Sequence, residues 1–310
     1  MKAKLKIITA MLTWGSMGVI VKQIGLPSGI IAFIRAIIGL TFLLLISLLL
    51  KKTFPVKEIN KNKWILLASG SALGANWIFI FEAYKHTTVA IATLSYYIAP
   101  ILIVILSTIL LREKMTLLKA ALMMVSLFGL ALVSGALDTH MTAGNSLGIL
   151  FGFAAATAYA GFTIMNKNIT GLSSMDSTMI QFGVSCLVLL PYILINETSA
   201  SIHINWNTVI LLAVLGIFHT GIAFWLFFSA IRELKAQTLA VFSYLDPVTA
   251  VLLSAFFLKE ELGVYQILGA FIILGSAFIS GYIGDVQLVN KRKRNFLKGL
   301  DFRKTGNVRV

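Results

Sequence analysis

The sequence predicts an all-α integral membrane protein with ten transmembrane helices arranged as two inverted five-helix repeats. Three observations predict it: apolar blocks of membrane length with few charges, a one-sided distribution of lysine and arginine, and a stretch that recurs 147 residues later. The chain of 310 residues is 58% hydrophobic and only 12% charged, with a mean hydropathy of +0.91. Soluble domains carry about 25% charged residues, so too few charges are present to cover a water-facing body of this size. Blocks of about 20 apolar residues match the hydrocarbon thickness of a bilayer.

The predicted spans run in order from Leu5 to Ile24, Ile30 to Leu50, Lys63 to Tyr84, Thr88 to Leu111 and Leu117 to Ser134. After a loop around Asp138 and His140 they continue from Ser146 to Met165, Met175 to Ile195, Asn207 to Ser229, Ala236 to Leu258 and Val264 to Ile283. Helices are expected throughout, because backbone in lipid must satisfy its own hydrogen bonds. The alternating segments of a β-barrel are not visible. This divides the chain into a first five-helix repeat over 1–137, a second over 146–284 and a basic tail over 285–310. Met1-Lys2-Ala3-Lys4-Leu5-Lys6 before an apolar run resembles a secretory signal. No small-residue cleavage site follows and further spans do, so an uncleaved first span is expected.

Lysine and arginine collect on one side: Lys2, Lys4, Lys6, Lys51, Lys52, Lys57, Lys61, Lys63, Arg112, Lys114, Lys119, Lys167, Arg232, Lys235 and the tail. The other side has little beyond Lys22, Lys85 and Lys259, which are expected to snorkel. The asymmetry places both termini in the cytoplasm, with the chain multi-pass in the plasma membrane, and requires an even number of spans. It also accounts for the net charge of +14 without nucleic acid, for which no motif is present. The single Cys186 excludes an intrachain disulfide and a cysteine-based metal site. No cofactor or metal is expected.

A shift of 147 sets Gly74 to Glu113 on Gly221 to Glu260 without a gap. Gly74, Phe81, Ala83, Tyr97, Pro100, Val104, Leu106, Ser107, Leu111 and Glu113 meet identical residues. A weaker shift of 145 sets Trp14 on Tyr159 and Lys22 on Lys167. Five spans per half is odd, so the halves are expected to be inverted, a transporter arrangement with its site near the midplane between them.

Charges inside spans cost about 2.5–3.5 kcal/mol each at mid-helix on insertion scales, which singles out Asp246 in the ninth span and His219 in the eighth. Two readings are open: they share a proton, or Asp246 accepts hydrogen bonds at the Pro247 kink while His219 packs. Arg35 lies about 9 Å in from the outer end of the second span by helix rise. It either pairs with Glu82 or holds a substrate carboxylate with its forked donors, while Glu82 has Lys85 one turn away as an alternative. Pro100 and Pro247, at matched positions, are expected to kink their helices. Tyr97 and Tyr244 stand beside these kinks, with Thr93, Tyr96 and Ser243 close by. Trp14, Trp77 and Trp225 either wall a cavity or serve lipid-facing and packing roles. Gly70 and Gly74, and Gly148, Gly152, Ala156 and Ala160, offer small faces for helix packing.

Trp14-Gly15-Ser16, Arg35, the stretch from Tyr97-Ile98-Ala99-Pro100 to Leu111-Arg112-Glu113 and its copy from Tyr244-Leu245-Asp246-Pro247 to Leu258-Lys259-Glu260 resemble the EamA family of the drug/metabolite transporter superfamily. The resemblance covers nearly the whole chain. It implies a secondary transporter with a cavity lined from both halves that exports small polar metabolites, amino acids among them, and leaves the substrate open. Proton coupling and a homodimer are compatible with it. A membrane-embedded enzyme, a channel and an importer of small organic cations are the rival classes. No Walker, H-E-x-x-H or G-x-S-x-G motif is present.

Overall fold

The computed structural model describes residues 2–21, 23–87, 92, 95–113, 115–133, 145–197, 205–258, 263–265, 267–276 and 278–279. Lys22, Thr88, Thr93, Lys114, Asp138, His140, Lys259, Glu260 and the basic tail lie outside the described residues. The regular structure among them is helical. The elements are α1 (Lys2–Gly15), α2 (Met17–Val21), α3 (Ser28–Leu49), α4 (Val56–His86), α5 (Ala99–Leu110), α6 (Leu117–Val133), α7 (Asn145–Asn168), α8 (Ser174–Asn196) and α9 (Trp206–Val214). A π-helical segment (Leu215–Ile222), α10 (Ala223–Glu233), α11 (Ala236–Ser243) and α12 (Leu245–Leu258) follow, and then α13 (Ile267–Ser276). Six helical stretches are long and apolar enough to cross a membrane: Lys2–Val21, Ser28–Leu49, Val56–His86, Ser146–Asn168, Ser174–Asn196 and Trp206–Glu233. Shorter apolar helices fill the remaining columns.

Polar contacts fix which helix ends share a side. At the basic end Lys6 at the start of α1 meets Glu233 at the end of α10 at 2.6 Å. There too Asn62 near the start of α4 bonds Thr170 before α8, and Arg232 reaches the Leu172 carbonyl and Ser177. At the opposite end Glu197 accepts from the Gly29 and Ile30 amides at 3.2 and 2.9 Å, capping α3 from the end of α8. Helix starts leave amide donors without intrahelical partners, and a carboxylate there satisfies two of them. The chain therefore threads up and down through one bundle.

Small residues set the helix spacing. A Cβ on Gly70 or Gly74 would lie 2.7 or 2.9 Å from Val184 or Val188 Cβ, so α4 lies directly on α8. Gly152 seats Ser95 in the same way, at 2.7 Å. Buried amides bind across helices: Asn76 donates to the Ala155 carbonyl at 2.8 Å, and Gln181 to Ser69 Oγ at 2.6 Å. With hydrocarbon outside, close packing and such bonds hold helices together.

Three predicted spans depart from simple helices. The first breaks at Ser16, whose hydroxyl bonds the Thr13 carbonyl at 2.7 Å in competition with the helix. The eighth contains the π segment, and the ninth breaks at Tyr244 between α11 and α12. Pro100 and Pro247 lie in the first turns of α5 and α12 rather than at bends within continuous helices. A proline has no amide to donate and its ring crowds the carbonyl four residues back. The break accordingly falls just before each proline, at Tyr97–Ile98 and at Tyr244.

Candidate functional site

The break at the end of α1 is where the singled-out residues converge. Gly15 admits no side chain: a Cβ there would lie 2.5 Å from Thr249 Cβ and 2.6 Å from the Asp246 carbonyl oxygen. The first turn of α12 thus rests on the end of α1. On either side of Gly15, Trp14 and Ser16 grip His219. Trp14 Nε1 donates to the His219 carbonyl at 2.8 Å, and Ser16 Oγ lies 2.9 Å from His219 Nε2. His219 is buried and stands in the π segment, where the Ala223 amide bonds the carbonyls of Phe218 and Thr220 and bypasses that of His219. The Trp14 indole occupies this bypassed acceptor. The π segment also lies close to α3, because Gly39, Gly216 and Gly221 leave no Cβ between them: a Cβ on Gly39 would be 3.1 Å from the Gly216 oxygen.

Arg35 projects from α3 near this point and is 6% exposed. Its Cζ lies 4.7 Å from the Trp77 ring centroid, and Nη1 donates to Met17 Sδ at 2.8 Å. Nε has no partner. Trp77 touches Phe224 at 6.0 Å, and Phe224 touches Trp14 at 4.7 Å. Arg35, Met17, Ser16, His219, Trp14, Phe224 and Trp77 thus form a closed circuit of contacts.

A second circuit runs through the helix breaks. Tyr97 Oη donates to Asp246 Oδ2 at 2.7 Å. The Ile101 and Leu102 amides both bond the Ile98 carbonyl, which leaves the Tyr97 carbonyl to accept from Tyr244 Oη at 3.3 Å. Tyr96 stacks edge-on against Tyr97 at 5.4 Å and Tyr159 at 5.8 Å. Tyr159 continues to Phe227 at 6.0 Å, and Phe227 to Trp14 at 4.9 Å. Tyr96 lies within electrostatic reach of both Arg35 and Asp246. Tyr96, Tyr97, Trp14 and Asp246 are all half-buried. Among the described residues no carboxylate pairs with Arg35 and no cation with Asp246.

Trp14, Arg35, Trp77, Tyr97, His219, Tyr244 and Asp246 are thereby brought together. Asp246 and His219 do not share a hydrogen bond: Tyr97 holds the first, and Ser16 the second, on opposite sides of Gly15. Glu82 stands apart at the end of α4, where it accepts from Lys85 at 2.9 Å and Tyr192 at 2.6 Å. Of its two prospective partners, the lysine one turn away is the one it takes. Trp225 does not join the cluster and is 39% exposed. In α10 the buried positions Ala223, Phe224, Phe227, Phe228 and Ile231 define the inward face, which turns position 225 outward.

Comparison with known proteins places this arrangement. The model of the EamA-like transporter family matches residues 1–135 and 146–282. This chain belongs to the EamA-like transporter family. An uncharacterized transporter of Bacillus subtilis, YxxF, is 31% identical over 272 residues, covering 87% of this chain and 86% of its own length. YetK, another uncharacterized transporter of the same organism, is 27% identical over 90% of this chain and 87% of its own length. A solved crystal structure superposes with a TM-score of 0.78 at 22% identity, over 91% of this chain and 98% of the other. The chain is thus a multi-pass membrane transporter of the drug/metabolite transporter superfamily.

Proposed function

We propose that this protein is a secondary transporter that exports a small polar metabolite across the plasma membrane by alternating access between two inverted five-helix halves, with Asp246 coupling the cycle to protons. The observation that carries the reading is the contact between matched positions. Under the 147-residue shift Tyr97 corresponds to Tyr244 and Trp77 to Phe224, and the members of each pair touch across the cluster. Equivalent residues meet when they lie near a two-fold axis relating two halves, which is where an inverted-repeat transporter binds its substrate. The six long helices, together with the columns of α5, α6, α11–α12 and α13, supply the ten spans. Basic residues at one bundle end favour cytoplasmic termini.

Asp246 suits the coupling role because it is half-buried, lacks a cationic partner among the described residues and is oriented by one hydroxyl. A carboxylate so placed can gain and lose a proton without dismantling an ion pair. Glu113 supports a gate at the basic end: it meets Lys167 at 2.6 Å and accepts from the Ala236 amide at 2.9 Å, tying α7 and the start of α11 to the end of α5. Reconstitution in liposomes tests the reading. Counterflow of a labelled metabolite, and its accumulation under an imposed pH gradient, are the expected results. Flux without saturation or counterflow would point to a channel, and a silent cytoplasmic reporter fused after Val310 would overturn the topology.

A further inference from the structure

We propose that Arg35 is the anchor for a carboxylate group on the transported molecule, so that the substrate is a small organic acid or amphoteric compound carrying one free carboxylate. This rests on reading the cluster around Arg35 as the transport site. A guanidinium keeps its charge in any accessible pH range and offers five N–H donors in a planar fork. At 6% exposure the one on Arg35 has lost most of its water, and in exchange it has a thioether and the face of an indole. A thioether is a weak acceptor, and a ring face attracts the charge without accepting along the N–H directions of the guanidinium plane. Nε has no partner. The group is stacked but not satisfied, an arrangement that leaves its edge free for a planar acceptor with two oxygens.

The protein's own described carboxylates are engaged elsewhere. Glu82 holds Lys85 and Tyr192, Glu113 holds Lys167 and the Ala236 amide, Asp176 accepts from Ser173, Glu197 caps α3 and Asp246 accepts from Tyr97. An arginine kept in a membrane bundle for structure alone is expected to pair with an acid or with backbone carbonyls, and among the described residues Arg35 does neither. The surroundings set the class further. Arg35 supplies a single positive charge, which matches a carboxylate better than a phosphate monoester carrying about two negative charges. Trp77, Phe224 and Trp14 give apolar walls, while Ser16 and His219 add hydrogen-bonding groups next to Met17.

The test is binding of acetate, the simplest probe with this group, to the full-length protein in nanodiscs of phosphatidylcholine. With isotope-labelled arginine and tryptophan, the Arg35 Nε–H signal is assigned by its loss in R35K, and the Trp14 indole signal by its loss in W14F. Acetate is expected to shift the Arg35 signal saturably, and acetamide and potassium chloride are expected not to. In R35Q the response of the Trp14 signal to acetate should vanish. Absence of a saturable acetate shift, or an equal shift with acetamide or chloride, overturns the proposal, and the wild-type titration decides even if R35Q fails to fold. The readout needs no flux. No acetate binding in a protein that performs counterflow removes the carboxylate anchor alone, whereas acetate binding without flux keeps the anchor and removes the transport reading.

Discussion

The two broken helices of the cluster share a pattern and differ in one chemical group. Tyr97-Ile98-Ala99-Pro100 and Tyr244-Leu245-Asp246-Pro247 each interrupt a helix just before a proline. The first break buries Ala99 at 2% exposure, and the second presents a half-buried carboxylate at the matched position. The same shift sets His219 opposite Ala72, and the π segment opposite part of the continuous helix α4. The tyrosines also diverge in use. The Tyr97 hydroxyl holds Asp246, whereas the Tyr244 hydroxyl is fully buried and holds only the Tyr97 carbonyl. Duplication supplies the frame, and the ionisable groups stand where the other half keeps alanine.

If that asymmetry carries the coupling, D246N should lower pH-gradient-driven accumulation at least roughly tenfold, equivalent to about 1.4 kcal/mol, while counterflow at equal pH persists. Unchanged gradient dependence would make the two breaks functionally equivalent. Installing the missing carboxylate in the first half by A99D should cost about 3 kcal/mol, seen as a lower melting temperature, because Ala99 is buried against its neighbours with no hydroxyl assigned to receive a charge. A neutral outcome would show that either break tolerates an acid. E113Q tests the end of the repeated stretch. It weakens a partly buried pair and an amide cap together, for a loss of about 2 kcal/mol, and should speed labelling of a cysteine at position 236 by a membrane-impermeant reagent applied from the basic side. Y97F and Y244F give the finest contrast. The first removes a 2.7 Å bond to a carboxylate and should cost about 1.5 kcal/mol. The second removes a 3.3 Å bond to a carbonyl and should cost about 0.5 kcal/mol, and reversal of that order would remove Asp246 as the point of difference.

The membrane class, the helical content and the importance of the Tyr-Pro pairs were legible because each rests on a signal lipid enforces or duplication repeats. Trp14 and Arg35 were legible as outliers, a large indole beside Gly-Ser and a charge within an apolar block. Partner choice was not. Glu82 had both Arg35 and Lys85 to choose from, and only the direction of its side chain decides for the lysine. Trp225 resembles Trp77 in the sequence, but the inward face of α10 is fixed by its phenylalanines. The π segment reads Leu-Gly-Ile-Phe-His-Thr-Gly-Ile, apolar on every side, so no polar stripe betrays a change of helical period. The break at Ser16 and the cap from Glu197 depend on contacts with α8, α3 and the π segment that lie far away in sequence.

The π segment fixes how this region tolerates changes of length. Such segments carry a residue beyond what an α-helix would need over the same rise. Deleting one residue within Leu215–Ile222 would let the strand of hydrogen bonds revert to α-helical spacing at little local cost, yet turn everything after it by roughly 100°. Phe224, Phe227 and Phe228 would then rotate off Trp14 and Tyr159, and Trp225 would swing toward the interior. Along this span substitutions are the milder injury, and the register itself is the inherited quantity.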